Sequence, residues 1–206
     1  GCPTDMAIDE AAHGLSRYAR ICQEAGLVPI VEPEILIDGT HDIGTTARVQ
    51  EKVVSVVYQK LRECGVLLEG TLLKPSMTVN GVDCPNRATP EEVAKLTVQT
   101  LERSVPASMP GVTFLSGGLS EEDSSIFLNE INAISRKGPW ALTFSFSRAM
   151  QSSAIKAWCG KEENVKEAQS LLVARAQANS EASKGEYTPG SQPSNCESLY
   201  VKNYVY

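Results

Sequence analysis

Four short strand patterns alternate with helical patterns along this chain, and that alternation constrains its fold more than any other feature. From about Asp5 to Ala25, apolar residues recur at Ile8, Ala12, Leu15, Ala19 and Cys22, a helical spacing that Gly26 ends. Leu27 to Ile35 reads as a strand. A second helix is expected over Thr46–Cys64, with Val49, Val53, Val56 and either Tyr58 or Leu61 turned inward. Val66 to Lys74 reads as the next strand, stopped by Pro75. Thr89-Pro90-Glu91-Glu92 is a strong helix start: Thr89 caps, Pro90 suits the first helical position and Glu92 can close a capping box. That helix should run to about Ser104. Val112–Ser116 is a third strand, broken at Gly117-Gly118, and the acidic run from Ser120 starts another helix. Trp140–Phe146 is a fourth strand, leading into helical sequence from Arg148 to Trp158 and a last helix over about Glu162–Lys184.

Repeated strand–helix units imply parallel strands covered by helices, so the fold class is α/β. The choice lies between a doubly wound sheet and a (β/α)8 barrel. No G-x-G-x-x-G or phosphate-binding loop follows any strand, which weakens the nucleotide-binding sheet. A complete barrel needs eight such units and roughly 250 residues. The 206 residues here supply four, so the barrel reading takes the chain as about half of one.

The formal net charge is -6, which speaks against nucleic-acid binding through overall charge. No apolar run approaches the roughly 18 residues of a membrane span. The six cysteines, at 2, 22, 64, 84, 159 and 196, are scattered without a C-x-x-C pair, so a zinc site of ordinary spacing is not expected. Their even number leaves a disulfide reading open. Cys22 and Cys64 fall on apolar helix faces, which favours reduced thiols and a reducing, cytoplasmic compartment. The chain opens at Gly1 without a methionine or signal peptide and runs directly into a helix, which suggests a true N-terminus further upstream.

Polar residues concentrate at the strand ends. Glu32 and Glu34 are two apart and so share a face of an extended chain. Neighbouring carboxylates raise each other's pKa, which suits one to general acid work; solvated strand-end carboxylates are the alternative. Lys74 closes an apolar strand. There it is either an amine nucleophile activated by its surroundings or a lysine that snorkels or pairs with Glu32 or Glu34. Ser116-Gly117-Gly118 is either an anion-holding turn ahead of a helix N-terminus or a tight structural turn. Arg148 can grip a phosphate with two parallel hydrogen bonds, or pair with a surface carboxylate. Taken jointly, the four strand ends describe amine chemistry on a phosphorylated carbonyl substrate, gathered where barrel enzymes keep their catalytic residues.

Gly26-Leu-Val-Pro-Ile-Val-Glu-Pro-Glu34, Leu68-Glu-Gly-Thr-Leu-Leu-Lys-Pro75 and Phe114-Leu-Ser-Gly-Gly118 with Ser120-Glu-Glu122 resemble the signature segments of class I fructose-1,6-bisphosphate aldolase. The resemblance runs along the whole chain. Around Phe146 and Lys161–Val165 it is closest to the plant-type cytosolic branch. It implies a (β/α)8 TIM barrel, with residues 1–184 as its C-terminal half and 185–206 as a flexible tail. It implies a lyase of glycolysis and gluconeogenesis that works through a lysine Schiff base and needs no metal or other cofactor. In that scheme Lys74 forms the imine, Glu32 donates and accepts protons, Glu34 assists near Lys74, and Tyr206 serves proton exchange at the iminium or enamine stage. Ser116, Gly117, Gly118 and Arg148 match phosphate-binding positions.

The family pattern has Gly where this chain has Ser147, and Gln where it has Leu119. Ser147 adds a side chain beside the phosphate site. The family's N-terminal half carries the site's Asp and further Lys and Arg residues, so this stretch alone is expected to be inactive. The expected partners are a phosphorylated sugar and, in a full-length protein, three further copies in a homotetramer, with neither nucleic acid nor membrane. The competing reading is a non-catalytic aldolase-like scaffold that contacts cytoskeletal filaments. A zinc-dependent aldolase would need clustered ligands, and the only histidines are His13 and His41.

Overall fold

The structure, a computed structural model, describes residues 2–202. Six helices alternate with four short strands: α1 (Asp5–Glu24), β1 (Ile30–Val31), α2 (Ile43–Glu63), β2 (Leu72–Leu73), α3 (Pro90–Ser104), β3 (Gly111–Phe114), α4 (Glu121–Ala133), β4 (Ala141–Phe144), α5 (Arg148–Trp158) and α6 (Val165–Ala182). The strands form one parallel sheet in the order β1-β2-β3-β4. Spatial order therefore follows chain order. A doubly wound sheet reverses order at a switch point, whereas a (β/α)8 barrel never does. The sheet has the barrel's winding.

The starts of the first four helices have local causes. Thr4, Asp42 and Ser120 cap α1, α2 and α4 through side-chain oxygens that accept backbone N–H bonds. Thr89 and Glu92 form the full capping box ahead of α3, with Pro90 in its first turn. Such caps contribute about 0.5–2 kcal/mol each. The sheet's buried face joins the helices in one core, where Val31, Leu73, Val112 and Phe114 are fully buried with Leu61, Leu101, Leu128 and Ile131. Ile30, next to Val31 and so on the opposite face, is 40% exposed.

The structure corrects two expectations from sequence. The strands are shorter than expected because other groups satisfy the flanking backbone. Gln23 on α1 donates to Leu67 and Gly70 carbonyls and accepts from the Leu67 N–H, so residues 67–70 form a 3-10 turn instead of ladder. Pro33 has no N–H with which to extend β1. The buried stripe of α2 is Thr46, Gln50, Val54, Val57, Tyr58 and Leu61, with Val49, Val53 and Val56 only partly covered. The stripe is turned because Gln50 has internal partners. Its amide donates to the Ser76 carbonyl at 2.6 Å and accepts from the Thr78 hydroxyl at 2.7 Å.

All six cysteines are free thiols; Cys84 is buried, Cys22 and Cys64 are half-buried, and the other three are exposed. No helix among the described residues is long and apolar enough to cross a membrane.

Trp140 is buried, its indole N–H donating to the Pro106 carbonyl at 2.8 Å. Trp158 ends α5 at 46% exposure, beside an apolar cleft of about 370 Å³ between α5 and α6. After α6 the chain returns along α4. The Tyr187 hydroxyl, the Gly190 N–H and the Ser194 hydroxyl all donate to the Glu122 carboxylate. Further on, Ser198 donates to the Gly118 carbonyl at 2.9 Å, and the Tyr200 hydroxyl to Asp38 at 2.7 Å.

Candidate active site

The carboxyl ends of the four strands open into a cavity of about 210 Å³ lined by Glu32, Glu34, Lys74, Leu115, Ser116, Gly117, Ser145, Ser147 and Arg148. Parallel strands end on one side, so side chains just past each strand converge there. The ladder carries that convergence one residue beyond the strands: the Lys74 N–H donates to the Val31 carbonyl at 2.7 Å, Leu115 to Pro75 at 3.1 Å and Ser145 to Phe114 at 2.9 Å.

Lys74 places its ammonium 2.9 Å from a Glu32 oxygen, with the lysine side chain 21% and the glutamate 43% exposed. The contact pairs an ammonium with a carboxylate, the two groups that a proton transfer at the amine would need. Pro33 is buried between exposed Glu32 and half-buried Glu34, so the alternation of an extended chain continues past the strand and turns both carboxylates to the cavity. Next along, the Ile35 N–H donates to the Ser76 hydroxyl at 2.8 Å, which ties this segment to the one that follows Lys74.

The turn after β3 needs its glycines. A Cβ on Gly117 would run into the Glu34 carboxylate. Gly118, at φ +77°, has left-handed backbone, and a Cβ there would strike Ile37. Gly117 faces the cavity, whereas Gly118 lines a neighbouring cavity of about 360 Å³ under the tail. The turn closes through the Leu119 N–H, which donates to the Ser116 carbonyl at 3.0 Å, and Leu119 packs against the core. Arg148 opens α5 at the cavity rim and donates to the Leu199 carbonyl at 2.9 Å. Ser147 precedes it and lines the same cavity.

Of the sequence-predicted residues, Glu32, Glu34, Lys74, Ser116, Gly117 and Arg148 share the cavity, and Gly118 sits one step behind it. Tyr206 lies outside the described residues. Reading from sequence did not pick out Ser145 in the cavity wall, or Ser76 and Gln50 behind it. A glutamine inside an otherwise apolar helical stripe was the available signal for Gln50. Among the described residues, no group of three or more His, Cys, Asp or Glu side chains is placed to hold a metal ion.

Comparison with known proteins matches this architecture. The family model "Fructose-bisphosphate aldolase class-I" matches residues 1–206. Cytosolic fructose-bisphosphate aldolase 4 of Arabidopsis thaliana is 55% identical over 206 residues, which is 99% of this chain and 52% of that relative. The fructose-bisphosphate aldolase of Plasmodium falciparum is 55% identical over 207 residues, 100% of this chain and 56% of its own length. A solved structure of the Plasmodium falciparum enzyme, in complex with TRAP and a small molecule inhibitor, superposes with a TM-score of 0.89 at 55% identity, covering 91% of this chain and 54% of that one. The chain thus spans about half the length of the curated relatives it matches.

Proposed function

The chain belongs to the class-I fructose-bisphosphate aldolase family, and from that premise we propose that it carries the imine-forming half of an active site that reversibly cleaves fructose 1,6-bisphosphate into dihydroxyacetone phosphate and glyceraldehyde 3-phosphate. The observation that carries this reading is the Lys74–Glu32 contact of 2.9 Å inside a polar cavity shared with Glu34, Ser116, Gly117 and Arg148.

In the proposed reaction Lys74 gives up a proton and its Nζ attacks the ketose carbonyl carbon. Glu32 is the acceptor in reach, and it returns a proton to the carbinolamine hydroxyl, which leaves as water to give the iminium. The iminium then takes up the electron pair of the breaking carbon–carbon bond as the substrate hydroxyl gives its proton to Glu32, a carboxylate again after the dehydration. Glyceraldehyde 3-phosphate departs and an enamine remains. Protonation at carbon and hydrolysis release dihydroxyacetone phosphate and restore Lys74. Glu34 lies beside the pair and holds the carboxylate field on the Gly117 side. Arg148, with the Ser116–Gly118 turn, binds a substrate phosphate through charge-assisted hydrogen bonds. Tyr206 assists proton exchange late in the cycle. A polar cavity of about 210 Å³ suits a small phosphorylated ligand better than a large apolar one.

The same proposal includes a cytoplasmic setting, which the names of the Arabidopsis thaliana and Pisum sativum isozymes support, and a homotetrameric full-length protein. A non-catalytic filament-binding role finds no support in a site that keeps Glu32, Glu34, Lys74 and Arg148 around one cavity.

The test is covalent trapping in the full-length protein. Borohydride reduction with dihydroxyacetone phosphate should add the ligand's mass less one oxygen atom, since imine formation expels water and reduction adds two hydrogens, to tryptic peptide 63–87, which stays whole because Pro75 follows Lys74. Lys74→Met should abolish the adduct. Labelling that persists in that variant overturns the assignment.

A further inference from the structure

Behind the cavity lies a carboxylate that takes no part in the reaction above. Glu121, in the first turn of α4, is fully buried. Its carboxylate accepts from the Ser153 N–H at 2.8 Å and from the Ser153 hydroxyl on α5, and from the Asn195 N–H of the tail at 2.8 Å. Its backbone carbonyl accepts from Arg175 of α6 at 2.7 Å. One residue thus ties α4, α5, α6 and the tail together. The two ends of that tie border the phosphate-binding groups. α4 follows the Ser116–Gly118 turn directly, and Ser153 stands five residues beyond Arg148 on the same helix.

We propose that Glu121 is a positioning residue for phosphate recognition: its carboxylate locks α5, and so Arg148, in register with the glycine turn. This rests on the reading of Arg148 as a phosphate ligand. A carboxylate is required because all three of its partners are donors. An amide presents one acceptor oxygen and an NH2 group that would face an N–H with nothing to accept. Arg148 at the head of α5 must meet the ligand to within fractions of an ångström for a bidentate grip, so a small shift of that helix weakens binding without touching Lys74.

Glu122 is the internal control. It is equally close to the tail and nearly as buried, but its side-chain partners are Tyr187, Gly190, Ser194 and, at 4.0 Å, Arg175, none of them on α5.

The experiment measures the dihydroxyacetone phosphate concentration that half-saturates borohydride trapping of Lys74 in the full-length protein, for the wild type, Glu121→Gln, Glu122→Gln and Arg148→Ala. Glu121→Gln should raise that concentration roughly tenfold, the cost of one weakened charge-assisted contact, with the final extent of trapping unchanged. Glu122→Gln should leave it within about twofold. In the Arg148→Ala background the Glu121→Gln change should have almost no further effect, since the contact it positions is already gone. Equal effects of the two glutamine variants, or full additivity with Arg148→Ala, overturn the proposal. Should Glu121→Gln fail to fold, Ser153→Ala removes one donor only and should raise half-saturation about twofold to threefold; no change overturns the proposal as well. Failure of the underlying reading looks different: Arg148→Ala itself would then leave half-saturation untouched.

Discussion

Two pairs of glutamates stand within one small protein under opposite conditions. Glu32 and Glu34 sit at the mouth of the cavity, the first 43% exposed and facing an ammonium. Glu121 and Glu122 sit behind it, almost without exposure, surrounded by hydroxyl and backbone donors. The residue type is the same; the surroundings decide what it does. A partly solvated carboxylate beside an ammonium stays within reach of whatever enters the cavity. A buried carboxylate saturated by fixed donors is a structural joint, because its removal would leave buried donors without acceptors. Proximity of two acids is therefore no sign of chemistry by itself. What distinguishes the mouth pair is an open cavity shared with the Lys74 ammonium, which lies 2.9 Å from Glu32.

The largest break in this comparison should come at the mouth. Glu32→Gln in the full-length protein is expected to lower turnover by about 10²–10³, the usual contribution of a positioned acid–base group. Its thermal midpoint should hardly move, because the side chain is well exposed and surface substitutions are usually within about 0.5 kcal/mol. Steady-state kinetics alongside a melting curve checks both halves, and a large fall in stability would place Glu32 with the structural pair.

The buried pair should show the reverse. Glu122→Leu strips the acceptor from Tyr187, Gly190 and Ser194 and leaves Arg175 without its nearest carboxylate. The expected cost is about 3 kcal/mol, as for breaking one side of a buried polar cluster, read as a lower urea midpoint. Lys74 should still trap ligand in the folded fraction.

Much of this was readable beforehand because its causes are local. The start of α3 follows from Thr89, Pro90 and Glu92, and helical sequence from Arg148 to Trp158 matches α5. The mouth was readable because six of its residues follow strand ends, and parallel strands gather whatever follows them. The buried pair was not. Glu121 and Glu122 look like ordinary acidic helix-start residues, and Tyr187, Gly190 and Ser194 look like parts of a polar tail. Their pairing spans 65 to 72 positions of sequence and is set by where α6 returns the chain. The course of α2 escaped for a related reason: three valines outvote one glutamine until Ser76 and Thr78 are seen beside it.

The smallest expected effect lies where the tail meets the β1 side. The Asp38 carboxylate accepts a hydrogen bond from the Tyr200 hydroxyl and pushes the pKa of that phenol up to about 12, with burial a lesser cause. The folded state holds this proton through a range in which an unfolded tyrosine, near 10, has lost it. The contact thus favours the folded form below about pH 10, and that contribution disappears as pH rises towards 12. Phenolate absorbance should show Tyr200 titrating late, and Asp38→Asn should bring it back towards 10. A late titration that survives Asp38→Asn would remove the tail from this partner.

The two tryptophans divide along the same lines and give the molecule a built-in optical report. Trp140 is sealed beneath β4, while Trp158 rides at the far end of the helix that Arg148 begins. Their emission should therefore separate into a blue component with little access to quenchers and a red one that iodide or acrylamide reaches. Any tilt of α5 would shift only the red component. Within this stretch, a quencher thus reads the outer end of α5 separately from the core.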